Sequence, residues 1–225
     1  MIAQVQFIAI FFLQLVVIYL ISRRLINLLF FSLRRIFKND QMVYNLIALL
    51  FLPGTIIHEI SHFLAATLLL LRVRSVTILP EWKEHYLKLG SVIYEKKDLL
   101  RSILVGIAPL FGGLAFFWLL AAFQLFPQNN WWLNLLFGYL VFTVATNMFS
   151  SAKDLQDLIY ILPLIAIVIA VIYIFNIRIN LVFAAGFWEN ISTVLQQINI
   201  YLLISLALEI TLWGLLKLMN WVIKR

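Results

Sequence analysis

The chain has 225 residues, of which 64% are hydrophobic and only 12% are charged, with a net charge of +7 and a mean hydropathy of +1.01. A soluble domain of this length cannot bury that much apolar surface, so the composition excludes an ordinary soluble protein and indicates a single membrane-embedded domain. The absence of cysteine excludes disulfides, thiolate metal ligands and a cysteine nucleophile.

Six apolar runs approach the roughly 20 residues that a membrane-spanning helix requires. We therefore predict an all-α polytopic membrane protein, with spans at about 2–21, 43–71, 99–126, 133–149, 158–175 and 200–222. The first run lacks a basic leader and a cleavage-site pattern, so it predicts a retained span and not a signal peptide. The basic stretch from Arg23 to Lys38 either extends this first helix or lies along the membrane interface.

The second run is interrupted by Pro53 and Gly54. After it, residues 72–97 contain two β-prone runs on either side of a polar connection, which predicts a small β-hairpin with a longer loop. The stretch 176–199 is mixed in polarity, and we interpret it as lying between the last two spans.

Two basic loops compete to set the orientation. The loop 72–101 holds seven Lys and Arg residues, and the loop 23–38 holds five. Six spans would put both termini and the hairpin on one side, and the positive-inside tendency then places that side in the cytoplasm, with the loop 23–38 violating the rule. Because the basic residues flank apolar runs and form no polar face, we expect a lipid bilayer as a partner and no nucleic acid.

A chemical motif lies inside the second span, where the sequence reads His58-Glu59-Ile60-Ser61-His62. Residues four apart lie on nearly the same face of a helix, so the two imidazoles can hold one Zn²⁺. Glu59 is one position round the helix, where it can act as general base on water that the zinc activates. This is the HExxH pattern, and it takes two of the three histidines in the chain. The alternative is a pair of hydrogen-bonded core histidines.

A catalytic zinc usually has three protein ligands and an open position. The candidates for the third are Asp154, Asp157, Glu189 and Glu209. Asp154 and Asp157 also fit the first turn of a following helix, since acids favour that position.

The HExxH motif in an early span, the β-prone loop behind it and Ala108-Pro109 in the next span together resemble the site-2 protease family of intramembrane metalloproteases. Asn147 ahead of an aspartate extends the resemblance, which covers about residues 52–158. It implies that Asp154 is the third zinc ligand, within a family motif that runs from Asn to Asp-Gly. Ser150 and Leu155 depart from that motif, which leaves Asp157 open.

By the same resemblance, the chain cleaves peptide bonds in or near transmembrane segments of membrane protein substrates, with Glu59 as the catalytic residue. The amide of Asn147 can hold the substrate carbonyl or the oxyanion, or else make an interhelical hydrogen bond. The hairpin offers an edge that can capture an unwound substrate strand.

Two other functions fit parts of the sequence. A gluzincin-type membrane metalloprotease would take Glu189 or Glu209 as its third ligand. A non-enzymatic zinc-binding scaffold, or pseudoprotease, would need the histidines only, and the intact Glu59 argues against it.

Overall fold

The computed structural model describes residues 2–77, 81–83, 86–88, 90–148, 167, 171, 174 and 185–222, and the side chains within 6–77, 90–148 and 192–222. Most of the described chain is helical. The helices are α1 (Ile2–Phe37), α2 (Asp40–Leu50), α3 (Leu52–Leu68), α4 (Leu99–Ala122), α5 (Trp131–Asn147) and α6 (Ala185–Val222). The strands are β1 (Val73–Thr77), β2 (Glu81–Lys83), β3 (Tyr86–Lys88) and β4 (Ser91–Tyr94).

Three of the described helices, α1, α4 and α6, are long and apolar enough to cross a membrane. Helices α2 and α3 pass the same test only as a pair, which is bent by 72°. The bend follows from Pro53 in the first turn of α3, because proline cannot donate the amide hydrogen that would continue the preceding helix. The described residues thus contain three or four candidate spans. The six predicted spans are not confirmed, and the span predicted at 158–175 lies almost wholly outside the described residues.

Two predicted boundaries change. The basic stretch after the first run extends α1 to Phe37, which was one of the two alternatives. Helix α6 begins at Ala185, so the second half of the mixed stretch 176–199 is helical, where the sequence predicted a span beginning only at 200. Polar residues there are compatible with the helix because some pair with α1; the amide of Asn199, for example, bonds the main chain of α1.

Helices α1 and α6 pack side by side and run in the same direction. Their hydrogen bonds join residues of rising number on both helices, namely Asn199 with Phe7 (3.1 Å), Glu209 with Ser22 (2.8 Å) and Asn220 with Ser32 (2.7 Å). The described ends of the chain therefore lie at opposite ends of the bundle. This corrects the arrangement expected from six spans, which would place both termini on one side.

Helix α4 runs in the opposite direction to α1. Its C-terminal residues Phe117 and Leu120 share a buried cluster with Leu15 and Ile18, in the first half of α1. Gly113, which comes earlier in α4, lies against Met148, the residue that follows α5. Met148 is two residues after Thr146, and Thr146 and Ser22 of α1 bond the same atom of Glu209. The start of α4 and the strands before it are therefore at the same end of the bundle as the C-terminus of α1. Since α2 starts from that end and α3 returns to it, the bent pair has the geometry of a re-entrant loop.

This arrangement brings the basic loops together at what we call the basic end. It contains the end of α1, the strand region with the start of α4, and the end of α6. Its described basic residues are Arg34, Arg35, Lys38, Arg72, Arg74, Lys96, Lys97, Arg101 and Lys217. The turn 123–130 at the opposite end has no charged residue. The sequence prediction placed the two basic loops on opposite sides of the membrane because it counted the bent α2–α3 pair as a full crossing.

The predicted hairpin is confirmed. Strands β1 and β4 pair antiparallel, with Val73 opposite Tyr94 and Thr77 opposite Ser91. In the segment that connects them, β2 and β3 form a second short antiparallel pair. The helices on either side of the hairpin are joined by Arg101 of α4, whose guanidinium donates to the main-chain oxygen of Leu69 at the end of α3, at 3.1 Å.

Helix α3 lies between α4 and α5 at very short range. A Cβ atom on Gly54 would overlap the main-chain oxygen of Thr143 in α5, and a Cβ on Gly112 in α4 would overlap the side chain of Ser61. Small residues at such crossings allow helix backbones to approach closely within a membrane. The close approach brings the polar residues of α3 within hydrogen-bonding distance of both neighbours.

Candidate metal centre

His58 and His62 lie one turn apart on α3, with their rings nearly perpendicular at 83° and the ring centroids 4.7 Å apart. The Nε2 atoms of the two rings face each other at 3.1 Å. His58 is 4% exposed. The two histidines therefore converge, as the spacing predicts.

Each ring is held from its other nitrogen by a different helix. Nδ1 of His58 lies 2.8 Å from the main-chain oxygen of Asn147 in α5, and Nδ1 of His62 lies 2.8 Å from that of Val105 in α4. A carbonyl oxygen only accepts hydrogen bonds, so both Nδ1 atoms carry the proton. In the neutral rings, both Nε2 atoms then present lone pairs, the form in which imidazole binds a metal.

The two carbonyl acceptors are free of their usual helical bonds for reasons that the sequence explains. Asn147 is the last residue of α5, where carbonyl groups have no amide partner four residues on in the same helix. Val105 lies four residues before Pro109, which continues α4 but has no N–H group to donate. Pro109 therefore leaves the oxygen of Val105 available for His62.

The residues present fit a divalent metal ion. Two lone pairs facing each other at 3.1 Å repel unless a cation or a proton lies between them. Nitrogen atoms at about 2.0–2.1 Å from a tetrahedral zinc lie roughly 3.3 Å apart. Both the tautomers and the separation of the Nε2 atoms therefore suit zinc.

Glu59 is 6% exposed and lies beside the hairpin. A Cβ atom on Gly90, the residue before β4, would stand 2.7 Å from Cγ of Glu59 and 2.8 Å from its Oε1. Only glycine allows the backbone to come this close. The carboxyl group of Glu59 is therefore buried against the backbone that leads into β4.

Asn147 contributes to the site in a way that the sequence does not predict. Its main-chain oxygen orients His58, and its side-chain nitrogen donates to the main-chain oxygen of Thr143 at 2.8 Å and of Phe51 at 3.5 Å. The bond to Phe51 is interhelical, which matches the structural alternative for this residue. Substrate binding by Asn147 stays a prediction.

The described residues contain no group of three His, Asp or Glu side chains that could hold a metal. Asp154 and Asp157 lie outside the described residues, as does the side chain of Glu189. Glu209 is in another place, where its Oε1 accepts hydrogen bonds from Ser22 of α1 (2.8 Å) and Thr146 of α5 (2.9 Å). This position disfavours Glu209 as a ligand.

Sequence reasoning missed two residues of the site, Pro109 and Gly90. Pro109 was named for the family resemblance and not for a role in the site, and Gly90 had no role in the predicted site. The spacing of four between Val105 and Pro109 is a signal for a free carbonyl, but nothing in the sequence indicates that His62 would face it.

Comparison with known proteins assigns no family: no protein-family model, no curated protein and no solved structure matches this chain. The function therefore has to be argued from the chemistry of the residues themselves.

Proposed function

We propose that this chain is an intramembrane zinc metalloprotease of the site-2 protease type, which hydrolyses peptide bonds in or next to transmembrane segments of membrane proteins. The observation that carries the proposal is the convergence of two Nε2 lone pairs at 3.1 Å, each fixed by a main-chain carbonyl from a different helix. A buried acid, Glu59, adjoins them in the sequence and lies on the same helix. Ionisable groups are costly inside a membrane and usually serve a function there.

His58 and His62 would hold the zinc, which when bound supplies a Lewis acid that acidifies water and polarises a carbonyl group. Glu59 accepts a proton from the attacking water and passes it to the amine nitrogen as the peptide bond breaks. Its burial favours this role, because charge interactions are stronger where water is largely excluded. The Nδ1 bonds keep both imidazoles in the tautomer that has its lone pair on Nε2.

The hairpin supports a mode of substrate binding. Among the described strands, β4 pairs on one side only, with β1, so its other edge has no partner strand among them. Gly90 joins this strand to the contact with Glu59. A transmembrane substrate must unwind to expose its scissile amide, and an extended segment can add to the β4 edge by strand pairing.

Two further parts of the proposal rest on the resemblance and on charge. Asp154 is the proposed third ligand, and it follows α5, whose last residue already bonds His58. The basic end is proposed to face the cytoplasm, because positive charge near span ends favours that side and anionic lipids there attract it. The metal centre would then be nearer the cytoplasmic face, since the start of α4 and the hairpin lie at that end.

The zinc content of purified variants tests the metal site. The unmodified chain and Glu59→Gln should each bind about one zinc per chain, and His58→Ala and His62→Ala should lose it. Equal zinc in all four proteins would overturn the assignment of the ligands.

Peptide termini in membranes of cells that express either the unmodified chain or Glu59→Gln test the reaction. New termini within or beside transmembrane segments should appear only with the unmodified chain, and proteins cleaved in this way are its substrates. If Glu59→Gln holds zinc, yet produces the same termini as the unmodified chain, the proposed role of Glu59 is wrong.

A further inference from the structure

The interface between α1 and α6 contains buried polar atoms that lack hydrogen-bond partners. Within the described part of the chain, the buried side-chain atoms without a partner are Gln14 Oε1, Asn199 Oδ1, Ser205 Oγ and Glu209 Oε2. All four residues are less than one-tenth exposed, and all belong to α1 or α6. Buried polar groups usually have a partner in the protein or in ordered water, so four such atoms at one interface need an explanation.

The identity of the two amide oxygens is fixed by their neighbours. The side-chain nitrogen of Gln14 donates to the main-chain oxygen of Asn199 at 3.2 Å, and that of Asn199 donates to the main-chain oxygen of Phe7 at 3.1 Å. Exchanging the nitrogen and oxygen of either amide would place two acceptors face to face. Both side-chain oxygens are therefore acceptors that need a donor.

In the second pair of atoms, Oε2 of Glu209 lacks a donor and the hydroxyl of Ser205 lacks any partner. The hydroxyl of Ser22 has one proton, but two acceptors lie within reach, the oxygen of Ile18 at 2.7 Å and Oε1 of Glu209 at 2.8 Å. The hydroxyl of Thr146 is similarly shared between Phe142, at 2.7 Å, and the same Oε1, at 2.9 Å. Oε2 of Glu209 receives no proton from either.

We propose that the interface between α1 and α6 is a hydrated seam that binds ordered water at Gln14–Asn199 and at Ser205–Glu209. Water is the ligand that suits these atoms, because it donates two hydrogen bonds and occupies buried sites where several polar groups are unsatisfied. Asn199 and Ser205 are about 9 Å apart along α6. The position at Ser205–Glu209 reaches Thr146, the residue before Asn147, whose main-chain oxygen orients His58.

The seam thus extends from the half of the bundle opposite the basic end to the neighbourhood of the metal centre. A role in supplying water or protons for peptide hydrolysis rests on the proposed function. The presence of water at the interface does not rest on the proposed function, so the seam and the protease activity can be disproved separately.

The absence of cysteine makes the seam directly testable by single cysteine substitutions in the full-length chain in lipid vesicles. The thiolate form of cysteine adds to the double bond of N-ethylmaleimide, and this form is favoured in water and suppressed in apolar surroundings. Ser205→Cys and Gln14→Cys should therefore react at least about tenfold faster than Leu202→Cys and Ile18→Cys. These controls are matched, since Leu202 is 0% and Ile18 is 1% exposed on the same two helices.

Equally slow reaction of all four variants would overturn the proposal. Ser205→Cys replaces a single atom, so it tests the seam even where Gln14→Cys does not fold. Hydroxyl-radical footprinting of the unmodified chain gives a second measurement, because radicals formed from bound water oxidise the side chains beside it. Oxidation of Tyr201, which is 4% exposed and lies one turn before Ser205, should exceed oxidation of Phe142 in α5, which is comparably buried at 7%. No excess there would also overturn the proposal.

Discussion

The backbone of Gly90 lies against the side chain of Glu59, so that a Cβ atom on residue 90 would stand 2.8 Å from Oε1 of the carboxyl group. The two residues are 31 positions apart, and they meet because the hairpin folds back onto α3 and α4. This contact joins the proposed general base to the strand that is proposed to bind substrate.

Gly90→Ala should lower proteolysis and leave zinc content unchanged. The added methyl group must displace either the hairpin or Glu59, and a misplacement of about 1 Å near a reacting group can cost on the order of 100-fold in rate. The measurement is the cleavage rate of a substrate found by comparison with Glu59→Gln. Gly138→Ala is the matched control, because a Cβ atom there meets no atom within 4 Å. Unchanged cleavage by Gly90→Ala would show that the contact has no catalytic importance.

Pro109→Ala should weaken zinc binding. The alanine restores an N–H group that can bond the oxygen of Val105 within α4, in competition with Nδ1 of His62. Loss of a bond that orients a metal-binding histidine typically costs about 10–100-fold in metal affinity. Competition with a chelator of known affinity measures the change.

Gly138→Ala serves as the control for this variant, because a Cβ atom on residue 138 meets no atom within 4 Å. If Pro109→Ala and the unmodified chain lose zinc to the chelator at the same concentration, the carbonyl of Val105 does not depend on the proline.

Gly54→Ala should destabilise the fold. The new methyl group would overlap the main-chain oxygen of Thr143, and a main-chain atom cannot move aside as the end of a side chain can. Forcing an extra carbon into a packed interior typically costs about 1–3 kcal/mol. Circular dichroism during unfolding in mixed detergent micelles measures the decrease in the free energy of unfolding relative to Gly138→Ala. Equal stability of the two variants would contradict the close packing of α3 on α5.

Asp154→Ala should lose zinc, whereas Asp157→Ala should keep it, because one carboxylate completes a three-ligand site. Metal analysis of the purified proteins distinguishes them. Glu209→Ala should also keep its zinc, since the carboxyl of Glu209 bonds Ser22 and Thr146. Zinc loss in Asp157→Ala alone would move the third ligand to that residue.

Cysteines at the two ends of the bundle should be labelled from opposite sides of the membrane. Lys96 at the basic end and Asn129 in the turn after α4 are both exposed, and the chain has no other cysteine to react. A membrane-impermeant maleimide should label Asn129→Cys in intact cells and Lys96→Cys only in inverted vesicles. The reverse pattern would place the basic end outside.

The sequence by itself determined the local features of this protein. Apolar runs predicted the helices, β-prone residues predicted the hairpin, and the spacing of His58 and His62 predicted that their rings would converge. Each of these depends on residues close together in the chain, where helical and strand periodicity apply directly.

Only the tertiary structure decided how these elements are arranged. The bend at Phe51 makes α2 and α3 a re-entrant pair, which puts both basic loops at one end of the bundle. The packing of α6 along α1 makes these two helices parallel. Contacts between distant residues, such as Gly90 with Glu59 and His62 with Val105, depend on how helices cross. In a membrane, every span is apolar whichever neighbour it packs against, so hydropathy identifies the helices and leaves their packing to small residues and a few interhelical hydrogen bonds.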